Sequence, residues 1–188
     1  LKSLPRIPEL IEIINCSFNS LQYFGCKEFI NYKCLKEIDC SNNYISIIIT
    51  LPINLEILKC QNNNLYELPK LPKKLKKLNC SNNNLKTLGE EFHSLDELVE
   101  IDCSFNKITR INELPKKLKI LNCYHNMINY LGVINDRLEE LCCHDNKLSE
   151  LPNLHQFLRK VWIHNNKFDK YNFHSIFHLN FDKIDLKI

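Results

Sequence analysis

An eleven-residue pattern recurs along the chain and constrains the fold more than any other feature. The pattern is L-x-x-L-x-C-x-x-N-x-L, with aliphatic or aromatic replacements at the apolar positions. Eight copies occupy residues 11–21, 35–45, 55–65, 75–85, 98–108, 118–128, 138–148 and 158–168, and their start-to-start spacings are 24, 20, 20, 23, 20, 20 and 20 residues. A near-constant period of this length predicts a stack of similar structural units.

Each copy begins with a short segment that reads as a β-strand. In the fourth copy Leu78 and Cys80 are two residues apart, so they point to one side of an extended chain, while Lys77, Asn79 and Ser81 point to the other. One copy alone cannot bury its apolar side, and stacking the copies forms a parallel sheet over one continuous core. The predicted strands lie near residues 11–17, 35–41, 55–61, 75–81, 98–104, 118–124, 138–144, 158–164 and, at the end, within 181–188.

One asparagine occupies the same place in every copy, just after the predicted strand. The chain turns sharply there, and the buried backbone groups of a turn need hydrogen-bond partners. An inward amide can bind the backbone of its own turn and of the neighbouring turn. We therefore predict a structural asparagine ladder of Asn19, Asn43, Asn63, Asn83, Asn106, Asn126, Asn146 and Asn166.

The cysteines follow the same period, which argues against a disulfide framework. Seven of the ten occupy one repeat position: Cys16, Cys40, Cys60, Cys80, Cys103, Cys123 and Cys143. Free cysteine behaves there as a small buried apolar residue. Neighbouring strands lie about 4.8 Å apart, wider than the Cβ separation of a relaxed disulfide. We expect reduced thiols and a reducing, cytoplasmic location, including the cytoplasm of a host.

The second half of each repeat is rich in proline and too short for a full helix. The segment LPKLPKKL (68–75) predicts an extended, polyproline-like return. The two longer repeats leave room for short helical segments, at Glu90–Leu95 and within residues 21–34. Residues 172–179 predict a helical connection to the last strand.

The segment LYELPKLPKKLKKLNCSNNNLKTL (65–88) resembles the short leucine-rich repeats of bacterial effectors of the YopM and IpaH types. The cysteine at the last apolar strand position also resembles repeats of giant-virus proteins. The resemblance implies an α/β solenoid with a single curved parallel sheet of about eight or nine strands, a mostly extended convex side and few short helices. It also implies protein binding on the concave face. In the IpaH type a separate domain carries ubiquitin-ligase activity, and nothing in this sequence matches it.

The outward strand positions form rows whose composition changes along the chain. Most copies carry small polar or charged residues there, whereas the last three carry large rings, imidazoles and a thiol. Tryptophan and tyrosine are frequent anchors of protein interfaces. The predicted partner-binding residues are Tyr124, His125, Cys142, His144, Trp162 and His164. The alternative is a terminal strand whose tryptophan is covered by the chain's tail.

Other chemistry has weaker support. Cys142, His144 and His164 are zinc-ligand types on adjacent strands, but a flat sheet seldom converges four donors, so no metal or other cofactor is predicted. Glutamates flank the lysines of residues 70–77 and 115–119, which favours a solvated face over nucleic-acid binding, and the Glu12, Lys36, Glu56, Lys76 row predicts cross-strand charge pairing. Three glycines could hardly form a phosphate-binding loop, and no catalytic set is apparent.

These features predict one domain over residues 1–188 that is not an enzyme and binds a protein partner, as a host-directed factor. The alternative is the substrate-recognition part of a larger enzyme of the ubiquitin-ligase type. A net charge of +3 predicts no strong attraction to nucleic acid, and no apolar run is long enough to span a membrane. We expect a monomer. Residues 1–10 align with 65–74, so we also expect a chain that begins inside a repeat and is a piece of a longer protein.

Overall fold

The computed structural model describes residues 1–168 and the backbone of Asp185–Lys187. Nine short parallel strands form one sheet in the order β1-β3-β5-β6-β7-β9-β11-β12-β13, and two further pairs, β2-β4 and β8-β10, lie on the opposite side of the repeats. The strands are β1 Ile13–Asn15, β2 Tyr23–Phe24, β3 Glu37–Asp39, β4 Ile47–Ile48, β5 Ile57–Lys59, β6 Lys77–Asn79, β7 Glu100–Asp102, β8 Arg110–Glu113, β9 Ile120–Asn122, β10 Tyr130–Val133, β11 Glu140–Cys142, β12 Lys160–Trp162 and β13 Asp185–Lys187. The predicted fold class is confirmed.

The sheet pairs equivalent positions of successive repeats. Leu58 of β5 lies opposite Leu78 of β6, and Ile57 lies opposite Lys77. The same register holds between the other neighbouring strands, including the last pair, in which Val161 lies opposite Leu186. Because side chains alternate along a strand, this register turns each repeat position into a continuous row on one face.

The inward rows form the core. Leu78 is almost fully buried, and the thiol column beside it is buried from Cys40 through Cys143, with Cys16 at the open end only slightly exposed. All ten cysteines are free thiols. The position two residues after the strand's central leucine therefore holds a small apolar side chain, as its period in the sequence suggests.

The turn after each strand combines a left-handed residue with the ladder asparagine. The residue before the ladder position has a positive φ in all eight repeats, for example 50° at Asn82. The next residue, Asn83, directs its amide nitrogen to the carbonyl oxygens of Cys60 (3.0 Å), Cys80 (3.1 Å) and Ser81 (3.1 Å). Its amide oxygen accepts the backbone N–H of Leu65 at 2.9 Å. The side chain thus connects two repeats.

The other ladder positions repeat these contacts, with small changes at the ends. The amide nitrogen of Asn19 donates only to carbonyls of its own repeat, Cys16 and Ser17, and its amide oxygen accepts from the amino group of Leu1. Asn166 binds Cys143 of the preceding repeat and Ile163 of its own.

The convex side is mostly extended, as the proline pattern predicts. At four places a proline carbonyl accepts the N–H of the residue three positions later, as between Pro72 and Leu75 at 3.0 Å. The two longer repeats contain short 3₁₀ helices at Lys27–Asn31 and Phe92–Ser94, inside the segments expected to be helical. The predicted helical connection at 172–179 lies outside the described residues. No helix in the described part of the chain is long and apolar enough to cross a membrane.

Candidate functional site

Much of the concave face pairs with itself. Serine hydroxyls of the third outward row donate to the residue two positions earlier, as from Ser41 to Asp39 at 2.7 Å and from Ser104 to Asp102 at 2.6 Å. The ammonium of Lys59 binds Glu37 at 2.7 Å across neighbouring strands. Polar groups satisfied by their own neighbours gain little from a partner, so this part of the face offers few groups for recognition.

The lysine-rich segments are paired in a similar way on the flank of the sheet. Glu56 lies between Lys36 (3.4 Å) and Lys76 (2.6 Å), which are the ion pairs that the sequence row predicts. The ammonium of Lys76 is the main cause that lowers the pKa of the Glu56 carboxyl. Lys119 also binds Glu139 at 2.9 Å. These lysines share their charge with carboxylates, as in a solvated mixed-charge surface.

The last repeats replace the serines with rings, and the rings form a stack. Tyr124 lies parallel to His144 with ring centroids 4.6 Å apart, and His144 lies parallel to His164 at 4.5 Å. Strand spacing imposes these distances, because equivalent residues of neighbouring strands lie about 4.8 Å apart. Trp162 meets the stack edge-on, with its ring centroid 5.9 Å from that of His144. The ammonium of Lys160 lies over the Trp162 ring, 4.1 Å from the ring centroid.

A second ring row lies at the left-handed turn position. Phe105 stacks on His125 with centroids 4.5 Å apart and meets Tyr124 edge-on at 5.2 Å. Phe105 is about half exposed despite a φ of 52°, a conformation in which phenylalanine is an outlier. The sequence analysis missed Phe105. The sequence feature that could have identified Phe105 is its bulk, because the equivalent position is asparagine or aspartate in five other repeats.

Asp145 links the two rows and was also missed. Its Oδ2 lies 3.3 Å from Nε2 of His125 and 3.7 Å from Nε2 of His144. Its Oδ1 accepts the amide N–H of Asn165 at 2.8 Å. The φ of 53° at Asp145 turns the carboxylate towards the imidazoles, so an outward-row analysis of the strands alone could not find it.

The six residues predicted to contact a partner differ in accessibility. Tyr124, His125, Trp162 and His164 are accessible, whereas Cys142 is 2% exposed and His144 is 9% exposed. Burial raises the pKa of the Cys142 thiol, and the positive charge of Lys160 opposes that shift. Cys142 and His144 therefore offer little surface for a partner to contact. We call Phe105, Tyr124, His125, His144, Trp162 and His164 the ring cluster.

One set of donor atoms in this region has metal-ligand character. A ring nitrogen of His144, a ring nitrogen of His164 and a carboxylate oxygen of Asp145 all lie within 4.8 Å of one another. Cys142, which the sequence grouped with the two histidines, does not belong to this set.

A second surface feature, a groove, lies far from the ring cluster. A groove of about 620 Å³ at the N-terminal end of the convex side is lined by residues that include Leu4, Tyr23, Phe29 and Tyr32. It contains the half-buried Cys26, but none of its lining residues belongs to a set of potential metal donors like that around Asp145. Within the described residues, the ring cluster is therefore the stronger candidate site.

Comparison with known proteins identifies the repeat type. A profile of leucine-rich repeats (two copies) matches residues 73–116. Comparison with curated protein sequences gives no significant match. The structure resembles YopM from Yersinia enterocolitica WA-314, with a TM-score of 0.80 and 32% identity over 88% of this chain and 36% of that chain.

Two further structures are similar. YopM from Yersinia pestis, a leucine-rich effector protein, has a TM-score of 0.73 and 31% identity over 88% of this chain and 52% of that chain. The LRIM1/APL1C complex gives a TM-score of 0.75 at 21% identity, over 95% of this chain and 35% of that chain, and this likeness shows the fold alone. The chain spans between about a third and a half of these proteins.

Proposed function

The chain belongs to the leucine-rich repeat family, and on that premise we propose that it is a non-enzymatic module that binds a protein partner through the C-terminal half of its concave face. Leucine-rich repeat domains are in general protein-interaction modules, as in the LRIM1/APL1C complex. A fold alone does not assign a function, so the proposal depends on a specific surface.

The ring cluster is the observation that carries the proposal. It places the accessible rings of Phe105, Tyr124, His125, Trp162 and His164 on one continuous surface, next to a face whose polar groups pair with one another. Aromatic residues bring large contact area with little conformational entropy to lose, and they dominate binding hot spots. The stacking already orders these side chains, which lowers the entropic cost of association.

The class of partner follows from the composition of the surface. The rings are flanked by Lys160 and Glu140, which pair at 3.5 Å, so the surface combines an apolar centre with a mixed-charge rim. Protein–protein interfaces commonly combine an apolar core with a polar rim in this way. Pairing of the lysines with glutamates supports a protein partner over nucleic acid.

We further propose that the protein acts on a host cell. The similarity to YopM, described as an effector protein in Yersinia pestis, supports it. Ten free thiols support a reducing compartment such as a cytoplasm. We further propose that residues 1–188 act as one monomeric domain.

A capture experiment with matched variants tests the proposal. The parent chain, a Tyr124→Ala/Trp162→Ala double variant and an Ile57→Ala/Lys77→Ala double variant are immobilised and exposed to host-cell lysate, and bound proteins are quantified by mass spectrometry. The control variant removes two side chains from the same face, in the third and fourth repeats, outside the ring cluster. Circular dichroism and thermal unfolding first establish that all three are folded.

The expected result is one or more proteins that bind the parent and the control alike. Loss of two hot-spot residues should weaken that binding by about 30-fold or more. The captured protein is then purified and its affinity for each variant is measured directly. If the captured protein binds the parent and the Tyr124→Ala/Trp162→Ala variant with equal affinity, the binding site is not on this part of the concave face. If no protein is captured specifically, the proposal that this chain alone binds a protein partner is wrong.

A further inference from the structure

We propose that His144, Asp145 and His164 form a binding site for a divalent transition-metal ion, with zinc as the best-matched ion. The site lies where β11 and β12 leave the sheet, and it shares His144 and His164 with the ring cluster. The proposal does not require a protein partner, so it stands or falls separately from the function proposed above.

The donor set is the first argument. Two imidazole nitrogens and one carboxylate oxygen are the ligand types of many zinc sites, and the three donors already lie within 4.8 Å of one another. Donors bound at about 2.0–2.1 Å to one tetrahedral ion are roughly 3.4 Å apart. The donors therefore need to approach one another by no more than about 1.5 Å, which rotations of three side chains can provide.

The backbone provides the second argument. A flat sheet holds His144 and His164 side by side at the strand spacing, and such a pair alone seldom completes a site. The left-handed conformation of Asp145 brings a third donor from the turn, from outside the strand rows. The three ligands thus come from two neighbouring repeats and converge from two directions.

The surroundings of the donors provide the third argument. Among the described residues, Nδ1 of His164 is buried and accepts or donates no hydrogen bond, which is costly for a polar atom unless something binds it. The Asp145 carboxylate is oriented from outside the set by the Asn165 amide at 2.8 Å and by the His125 imidazole at 3.3 Å. Hydrogen bonds that orient a ligating carboxylate are a common feature of metal sites.

The chemistry of the set selects the class of ion. Imidazole nitrogen suits zinc, copper, nickel and cobalt, whereas calcium and magnesium prefer sites made of oxygen donors. Three protein donors leave a coordination position for water or for a ligand from another molecule.

Trp162 gives a direct probe of occupancy. It is the only tryptophan in the chain, and its ring lies 5.9 Å from that of His144. The chain is treated with a chelator, dialysed and titrated with zinc, while the tryptophan fluorescence is recorded. The same titration with cobalt is followed by visible absorption, which distinguishes nitrogen and oxygen ligands from thiolates.

The variants remove donors while retaining shape. His164→Phe retains a ring in the stack, and Asp145→Asn retains the left-handed preference and an acceptor for Asn165. His125→Phe removes a group that orients the carboxylate, and His93→Gln, on the convex side, is the matched control. Equal thermal unfolding in the presence of chelator establishes that the variants are folded.

The expected result is saturable binding of one zinc ion per chain. Binding should weaken by about 10- to 100-fold in His125→Phe, more in His164→Phe and Asp145→Asn, and not at all in His93→Gln. Saturating zinc should also raise the unfolding temperature of the parent but not of Asp145→Asn. Absence of saturable binding, equal binding by the parent and both ligand variants, or a sulfur-to-cobalt charge-transfer band would each overturn the proposal.

Discussion

The side-chain amide of Asn83 donates to the backbone carbonyl oxygen of Cys60 over 3.0 Å and so crosses the boundary between two repeats. The same amide serves two carbonyls of its own turn, and its oxygen accepts a backbone N–H from the preceding repeat. One buried side chain therefore satisfies backbone groups that no strand pairing can reach.

The first prediction concerns this asparagine. Asn83→Ala leaves the buried N–H of Leu65 without a partner and removes one donor from each of three carbonyl oxygens that retain another. We expect it to lower the free energy of unfolding by roughly 1–3 kcal/mol. Urea unfolding followed by circular dichroism measures the change. The matched control is Asn84→Ala, because the neighbouring Asn84 side chain lies at the surface and accepts only from Lys107.

Asn83→Asp sharpens the test. A carboxylate has the shape of the amide but cannot donate to the three carbonyls, so it should destabilise at least as much as alanine. If either variant of Asn83 unfolds at the urea concentration of the parent, the ladder does not contribute as its geometry suggests.

The second prediction concerns Phe18, which has a φ of 54° and is 80% exposed. A phenylalanine in this conformation is strained, and the equivalent residues Asn42, Asn62 and Asn82 are of the type that tolerates it. We expect Phe18→Asn to raise the free energy of unfolding by about 0.5–1 kcal/mol.

The control for Phe18 is another exposed phenylalanine. Phe157 is 62% exposed and is not among the residues with positive φ, so Phe157→Asn should bring no gain. Equal stabilisation by both substitutions would show that removal of an exposed ring, and not relief of backbone strain, is the cause. Chemical denaturation of the parent and both variants decides between these causes.

The repeat period determined how much of the fold could be predicted from the sequence. It defined which side chains share a row, and the pairing of Ile57 with Lys77 and of Leu58 with Leu78 follows directly from it. The buried cysteines and the extended convex side followed from the size and proline content of the same repeat.

The candidate site was predicted less completely, because two of its properties do not depend on strand period. Asp145 and Phe105 join the site through the left-handed turn, whose geometry the outward rows do not contain. The burial of His144 depends on neighbouring rings, since it lies between Tyr124 and His164. The position of a residue in a row identifies the face on which it lies, but the burial of that residue depends on the size of the neighbouring side chains.

The third prediction concerns the buried thiol column and alkaline pH. Burial raises the pKa of the Cys60 and Cys143 thiols from 9.0 to about 12. Unfolding exposes them, so the unfolded chain loses these protons at lower pH than the folded chain. The stability they contribute is present below about pH 9 and is lost as the pH rises towards 12.

Urea unfolding at about pH 7.5 and pH 10 measures this loss, which should be of order 1 kcal/mol for each buried thiol. A Cys60→Ala/Cys143→Ala variant is less stable at both pH values because it leaves cavities, but its stability should fall less between them. Cys34→Ala, at a half-buried position outside the column, is the control. An identical pH dependence in all three proteins would mean that the column does not titrate on unfolding.

The fourth prediction concerns a close backbone approach between two repeats. Gly132 of β10 lies against β8, and a Cβ atom added there would lie 1.7 Å from the carbonyl oxygen of Asn112. The obstacle is backbone, so no side-chain rotation can relieve it, and the two convex strands would have to separate. We expect Gly132→Ala to lower the free energy of unfolding by about 3 kcal/mol or more.

Gly89→Ala separates this clash from the general cost of replacing a glycine. An added Cβ at Gly89 meets no atom within 4 Å, but the φ of 95° disfavours any side chain. That variant should therefore lose only about 1–2 kcal/mol, from backbone strain alone. Denaturant unfolding of both variants gives the comparison, and a Gly132→Ala variant as stable as Gly89→Ala would show that the convex strands can move apart freely.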